Sequence, residues 1–392
     1  MTTAVAAGSP VAAGEYQARL ERVRAAMTTL GFDALLLASP ENAYYLTGLN
    51  HYGYFATTLL VVLREGPVRI VARAMEVPTL QAQAPDCVHV AYGDGDDPAV
   101  VAARALTGLV GSGATVGAEL DSMYLPVRVW RFLEAALPGI GWADGTQFLA
   151  GQRAVKSPAE IAHVRAAAGM SDRALRAGIG TAVAGASERD VASAIYRELI
   201  DAGSDPPAFP PFVRTSENIP QEHVTWRGDR VLRRGDRVLL ELGASAGRYH
   251  APLSRAAYVA GKPAGVDEAA GIVLAGLDAI RASLCPGVLA GDVYNAWQQT
   301  VARLLGRDGY HRHHCGYLTG LGFPPSWVGG SGVTGLRRGS DLVIQEGMVF
   351  HVMSWLLGQG LPDYGVSDTA VVTAGGCELL TSVPRTPLVT SS

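Results

Sequence analysis

The sequence predicts an α+β protein of two domains, and three observations predict it. Up to about residue 150, short apolar runs alternate with amphipathic stretches, as in a small α/β domain. From Arg153 the text changes to long helices opened by capping signals, then a strand hairpin at Arg233–Tyr258 and a β-rich end. The length of 392 residues is ample for two cores, read as a disordered tail over 1–15, a first domain over 16–150 and a second over 151–392.

In the first domain, Leu20, Val23, Met27 and Leu30 fall at helical spacing over Tyr16–Leu30, and Gly31 ends that helix. Asp33–Ala38 reads as a buried strand. A short helical piece and an aromatic loop follow, then strands at Thr57–Leu63 and Val68–Ala72 about the turn Glu65-Gly66-Pro67. A helix at Ala99–Leu109, a strand at Thr115–Glu119 and a helix at Leu125–Leu137 complete the domain. In the second, Ser157-Pro158-Ala159-Glu160 opens a long helix and Ser187-x-x-Asp190 another. Further helices are predicted at Gly265–Leu284 and Gly291–Leu305, with strands at Met348–Leu356, Ser367–Thr373 and Glu378–Thr381.

Composition excludes several classes of function. Hydrophobic residues make up 48% and charged residues 17%, the balance of a globular chain. Lys and Arg total 32 against 36 Asp and Glu, with no basic block to bind nucleic acid. No apolar run approaches the ~18 residues of a membrane span, and the N-terminus lacks the basic and apolar regions of a signal peptide. Cys87, Cys285, Cys315 and Cys377 are scattered without a CxxC pair, which reads as a reduced, cytoplasmic protein.

The hairpin carries the chemistry. Val238, Leu239, Leu240 and Leu242 make its first strand, Gly243–Gly247 reads as the turn, and Leu253–Val259 as the return. Glu241 lies inside the apolar run, where an ionised carboxylate is costly unless it is paired or functional. Pairing with Arg255 or Arg248 is the competing explanation.

With these residues in view, the chain resembles the creatinase/prolidase/methionine-aminopeptidase superfamily, whose catalytic domain has the "pita-bread" fold behind a creatinase-type α/β N-terminal domain. The resemblance runs from about Tyr16 to Pro387. It is carried by ENAYYLTG, by R-x-x-K-S-x-x-E-I at Arg153–Ile161, by the hairpin, by GMVFHV at Gly347–Val352 and by the closing GVSDTAVVTAGGCELLT. Metal-dependent members use five ligands, and the resemblance places those positions on Glu241, Pro252, Tyr317, Met353 and Ser367, or on Asp368 after a one-residue slip. Proline and methionine supply no hard oxygen or imidazole, so no metal and no other cofactor is expected. The segments PQEHVTW, LLELGASAGRYHAPLSR and GYLTGLGFPPSW are more closely similar to the ectoine-hydrolase branch, which opens a cyclic amidine without metal. That similarity does not extend to the loop GLNHYGYFATT, so it implies a chemistry and not a substrate.

The resemblance implies a metal-independent hydrolase of a carbon–nitrogen bond in a small cyclic amidine or amide. The alternatives are a related amidinohydrolase or ring-opening biosynthetic enzyme, and a non-catalytic binding module. Glu241 is expected as nucleophile or base, His223 as acid/base, and Tyr249 and Tyr317 as donors to the tetrahedral centre. His250, Arg255, His351 and Trp327 are expected around the substrate. Asn50, His51, Tyr52 and Tyr54 lie in the loop that, in creatinase-like homodimers, reaches into the partner's active site. His311, His313 and His314 read as structural or solvent-facing.

Overall fold

The computed structural model describes residues 13–307, 310–329 and 333–391. Residues 1–12, most of the expected tail, lie outside these, whereas Ala13–Glu15 already belong to the first helix. Two units are present: Pro10–Ala154 forms the body of the first, and Val155–Val328 with Val333–Ser392 the body of the second.

The first unit is built on a six-stranded mixed sheet. Its strands are β1 (Ala34–Leu37), β2 (Leu59–Leu63), β3 (Arg69–Arg73), β4 (Val88–Tyr92), β5 (Thr115–Ala118) and β6 (Gly141–Asp144), in the order β4-β3-β2-β1-β5-β6. Helices α1 (Ala13–Leu30), α2 (Pro40–Thr47), α3 (Val77–Gln83), α4 (Pro98–Leu106), α5 (Val127–Ala136) and α6 (Thr146–Ala154) accompany it. The apolar runs of β1 and β2 are buried almost throughout, as befits central strands. Glu119, just beyond β5, accepts hydrogen bonds from the backbone N–H groups of Ala38 and Ser39 and from the Ser39 and Asn42 side chains, which ties β1 to the start of α2. The sequence reading passes over α3, β4, β6 and α6, which are short and carry no strong periodicity.

The second unit holds helices α7 (Pro158–Thr181), α8 (Glu188–Asp201), α9 (Val266–Ser283) and α10 (Ala290–Leu305). Its strands are β7 (Phe212–Thr215), β8 (Arg237–Ala246), β9 (Tyr249–Val259), β10 (Gly316–Leu318), β11 (Val349–Leu356), β12 (Tyr364–Thr373), β13 (Gly376–Leu379) and β14 (Leu388–Thr390). They make one eight-stranded sheet in the order β10-β11-β12-β9-β8-β7, with β13 on β12 and β14 on β9. Both predicted capping boxes form: Ser157 with Glu160 opens α7, and Ser187 with Asp190 opens α8.

The hairpin corrects one expectation. Gly243–Gly247 is not the turn: β8 continues to Ala246, and Gly247 and Arg248 alone reverse the chain at φ +54° and +65°. Two consecutive positive φ values match the right-handed twist of the flanking strands, which a longer small-residue loop would not. Gly243 has a packing role instead, since a Cβ there would lie 3.2 Å from the Pro252 backbone opposite.

Strand alternation divides the sheet into two faces. Leu240 packs on α7 at Gly178, and Ser354 accepts a hydrogen bond from Trp297 of α10, so the helices cover that face. Glu241 and Met353, each one residue away, therefore point to the other face.

Candidate active site

On that other face the pairing registers align distant residues in one row. Phe212 pairs with Glu241, Glu241 with Ser254, Ser254 with Ser367, and Ser367 with Met353. Tyr317 pairs with His351, two residues before Met353 and on the same face. Four of the five positions that the resemblance singles out thus share this surface, and Pro252, two residues before Ser254, makes the fifth.

The row floors a cavity with two lobes of roughly 600 Å³ each that share Arg214, Glu222, Glu241, Met353 and Trp355. His223, Tyr317 and Trp327 line one lobe, and Ser254, Ser367 and Tyr364 the other. An aromatic wall of Phe209, Phe212 and Trp327 stands beside the first, with Trp327 edge-on to Phe209 at 4.7 Å between centroids.

Glu241 is half-buried and opens onto the cavity. Among the described residues its carboxylate accepts no hydrogen bond and forms no ion pair, so neither Arg255 nor Arg248 explains it. Burial pushes its pKa up to about 7; the positive charge of Arg214 opposes that rise and the negative charge of Glu222 adds to it. A carboxyl group poised near neutrality can attack or accept a proton when ionised and be reset by protonation. His223 is exposed on the cavity wall at φ +57°, with its ring against Phe209 and Phe212.

Tyr317 is held from two sides. The indole N–H of Trp327 donates to its hydroxyl at 3.1 Å, and His351 Nδ1 lies 2.9 Å from the same oxygen. His351 Nε2 lies 2.7 Å from Ser367 Oγ, which in turn contacts Ser254 Oγ at 2.8 Å. Burial lowers the His351 pKa to about 3 and raises that of Tyr317, so the chain is neutral. With the proton on Nδ1, Tyr317 accepts twice and keeps its own O–H for the cavity; with the proton on Nε2, that O–H is spent on His351. His351 itself is fully buried and stands behind the wall, not in contact with the cavity as expected.

Three other expected residues are turned elsewhere. The Tyr249 hydroxyl donates to Glu160 Oε1 at 2.5 Å, and its ring stacks on His163. His250 Nε2 accepts from the Ala208 N–H while Nδ1–H reaches the Gly320 carbonyl, and burial lowers its pKa to about 4. Arg255 forms a buried ion pair with Asp368 at 2.7 Å and donates to the carbonyls of Ser254, Ser367 and Val383. Strand alternation turns Tyr249 and Arg255 away, since both have the opposite parity to Ser254; His250 shares the parity of Ser254 but lies at the turn end of the hairpin, opposite Ser245 and bonded to Ala208 and Gly320. The same alternation disposes of the slip to Asp368, which faces Arg255 and Arg385. Tyr249→Phe should therefore cost about 1–3 kcal/mol by removing a buried hydrogen bond to a carboxylate, with turnover unchanged; thermal melts and a rate assay check both.

In the first unit, His51 is buried 3.2 Å from Glu76, the Asn50 N–H donates to Gln83, and Tyr54 packs edge-on to Tyr124, leaving Tyr52 exposed. The sequence reading missed Arg214, Glu222, Ser254 and Trp355, and it placed His313 and His314 outside the site, whereas both line the cavity. A lone arginine in the apolar run Phe212–Thr215 is the one signal that was there to be read.

The model of metallopeptidase family M24 matches residues 162–374, and that of the creatinase/prolidase N-terminal domain matches residues 19–155. The ectoine hydrolase of Halomonas elongata is 28% identical, over 96% of this chain and 97% of its own. Among solved structures, dipeptidase PepE from Mycobacterium ulcerans superposes with a TM-score of 0.83 at 24% identity, covering 98% of this chain and 100% of that one. Prolidase from Thermococcus sibiricus superposes with a TM-score of 0.84 at 23% identity, covering 96% and 99%. These two share the fold.

The residues at the five metal positions do not fit a pair of divalent ions. Pro252 has no donor atom, Met353 offers a soft thioether, Ser367 is bound to His351 and Ser254, and burial keeps the Tyr317 phenol protonated. Among the described residues, no three His, Cys, Asp or Glu side chains gather closely enough to hold a metal ion. With one domain model matching more than half of the chain and the other preceding it in order, the protein belongs to metallopeptidase family M24, a hydrolase family, and carries the creatinase-type N-terminal domain.

Proposed function

We propose that this protein hydrolyses a carbon–nitrogen bond in a small cyclic amidine or amide, without metal. The observation that carries this reading is Glu241: it is the single acid among the five ligand positions, has no partner among the described residues, and opens onto the cavity that His223 lines. The similarity to ectoine hydrolase supports the same chemistry.

An amidinium carbon is electrophilic without a Lewis acid. Glu241 holds the attacking water and takes its proton, or attacks the carbon itself to give an acyl-type intermediate that water then hydrolyses; the ring C–N bond breaks as His223 passes a proton to the departing nitrogen. Tyr317 donates to the tetrahedral centre when His351 carries its proton on Nδ1. We extend the proposal to a cytoplasmic homodimer, with the Asn50–Tyr54 loop reaching a partner's site. Four free cysteines suit a reducing compartment, and no described helix is long and apolar enough to cross a membrane.

The test is a panel of cyclic amidines, creatine and X-Pro dipeptides assayed with and without chelator. Amidine opening at the same rate in excess chelator is the expected result. Dipeptide cleavage that appears on adding manganese or zinc would overturn it.

A further inference from the structure

We propose that Ser254, Ser367 and His351 form a hydrogen-bond switch under the cavity floor: the group that Ser254 meets in the second lobe sets whether Tyr317 donates or accepts in the first. The switch deepens the amidine reading above, on which its ligand rests, and makes Ser254 and Ser367 positioning residues for Tyr317. Its parts come from four neighbouring strands, with Tyr317 on β10, His351 on β11, Ser367 on β12 and Ser254 on β9. Register sets Tyr317 opposite His351 and Ser367 opposite Ser254. The links measure 2.9 Å from the Tyr317 hydroxyl to His351 Nδ1, 2.7 Å from Nε2 to Ser367 Oγ and 2.8 Å from there to Ser254 Oγ. His351 is fully buried and Ser367 almost so, which keeps water from the middle of the chain. Its ends are open. Tyr317 lines one lobe and Ser254 the other, and among the described residues Ser254 Oγ bonds only to Ser367.

A neutral imidazole has one N–H and one lone pair, and each hydroxyl has one proton to give, so the chain has two complete arrangements. In one, Tyr317 donates to Nδ1, Nε2–H to Ser367 and Ser367 to Ser254, and the Ser254 O–H is left for the second lobe. In the other every bond runs backwards. Ser254 donates to Ser367, Ser367 to Nε2 and Nδ1–H to Tyr317, whose own O–H is left for the first lobe. Going from the first arrangement to the second moves one proton along each link. Tyr317 takes a proton from water in its lobe, Ser254 releases one to water in the other, and the charge of the chain is unchanged. The Trp327 N–H donates to Tyr317 in both arrangements and favours neither. A ligand N–H donated to Ser254 Oγ therefore turns the Ser254 proton inward and the Tyr317 proton outward, and a ligand acceptor does the reverse. Each link polarises the next, so the chain responds as a unit. Glu241 lines both lobes, so one small ring seated over it reaches both ends. An amidine carries N–H donors, and by this route the substrate itself makes Tyr317 the donor that the tetrahedral centre needs.

The tautomer of His351 is the readout, measured by ¹H–¹⁵N correlation NMR on full-length protein labelled at histidine, with His351→Gln identifying the signal. Ser254→Ala leaves the buried Ser367 hydroxyl Nε2 as its acceptor, so it should drive His351 to Nδ1–H although Ser254 does not touch the ring. Tyr317→Phe removes the partner of Nδ1 and should drive the ring to Nε2–H. The ratio of the two forms should differ by at least about 10-fold between these variants, the scale of one hydrogen bond. Ser254→Thr keeps the hydroxyl and should match the wild type. A ratio in Ser254→Ala equal to that of the wild type overturns the switch, whatever Tyr317→Phe does. A second arm needs no substitution in the chain. In Glu241→Gln protein, which holds ligand without turning it over, a cyclic amidine should raise the Nδ1–H form, and its N,N′-dimethyl analogue, which has no N–H, should not. Binding of the amidine with no change at His351 also overturns the switch. Failure of the amidine to bind removes the hydrolase reading instead, and the ligand-free variants then decide the switch by themselves.

Discussion

Glu241→Gln should lower kcat by about 10³-fold or more, the scale set by losing a nucleophile or general base, and the variant should melt at a higher temperature than the wild type at pH 8. Both effects come from one cause. In the unfolded chain this carboxyl group has its ordinary pKa, near 4.5, and in the folded protein about 7. Between those values the folded state holds more protons than the unfolded one, so stability falls as pH rises through the window. The charge buried above pH 7 costs up to about 3 kcal/mol at 1.36 kcal/mol per unit, and Gln removes it. Activity runs the other way. Attack requires the carboxylate, so kcat/KM of the wild type should climb through about pH 7 and level above it. Melting curves at pH 5 and pH 8, set beside the pH–rate profile, check the pair. A Gln variant that is active, or no more stable than the wild type at pH 8, contradicts the assignment.

Replacing His223 should lower kcat by roughly 10²–10⁴-fold, the usual worth of a positioned acid or base, with little change in stability because the residue is exposed. Asparagine is the better probe than alanine. His223 sits at φ +57°, a left-handed conformation that asparagine tolerates and alanine does not. His223→Asn thus isolates the imidazole from the backbone. Added imidazole should restore part of the rate, since a proton carrier free in solution can reach an exposed wall. Wild-type turnover in His223→Asn would remove the residue from the mechanism.

The pattern of residues legible from the sequence has a physical basis. Glu241 stands out because a carboxylate in an apolar strand demands an explanation, and His223 and Tyr317 because their motifs are local. Tyr249, His250 and Arg255 lie within fourteen residues of Glu241 in the chain, yet none of them faces the cavity. Proximity in a hairpin says little when successive side chains take opposite faces, as at Arg255, and when the hairpin runs on past the cavity, as at His250. Placing the turn at Gly243–Gly247, when it is Gly247-Arg248, also left the register of Glu241 against Ser254 unread. Ser254 is joined to Ser367 across 113 residues of chain, and Ser367 to Met353 across the next strand pair, and no local pattern announces such a row.

The sequence by itself determined the two-domain α+β organisation, the capped helices, the hairpin and the buried acid at its centre, because periodicity, caps and an isolated charge are properties of neighbouring residues. Tertiary structure alone decided which groups share the cavity with that acid. It brought Arg214, His313 and His314 to the walls, put His351 behind Tyr317 and sent Arg255 to Asp368. Strand register and the choice of sheet face settle these matters, and both depend on hydrogen bonds and packing between segments that are far apart in the chain.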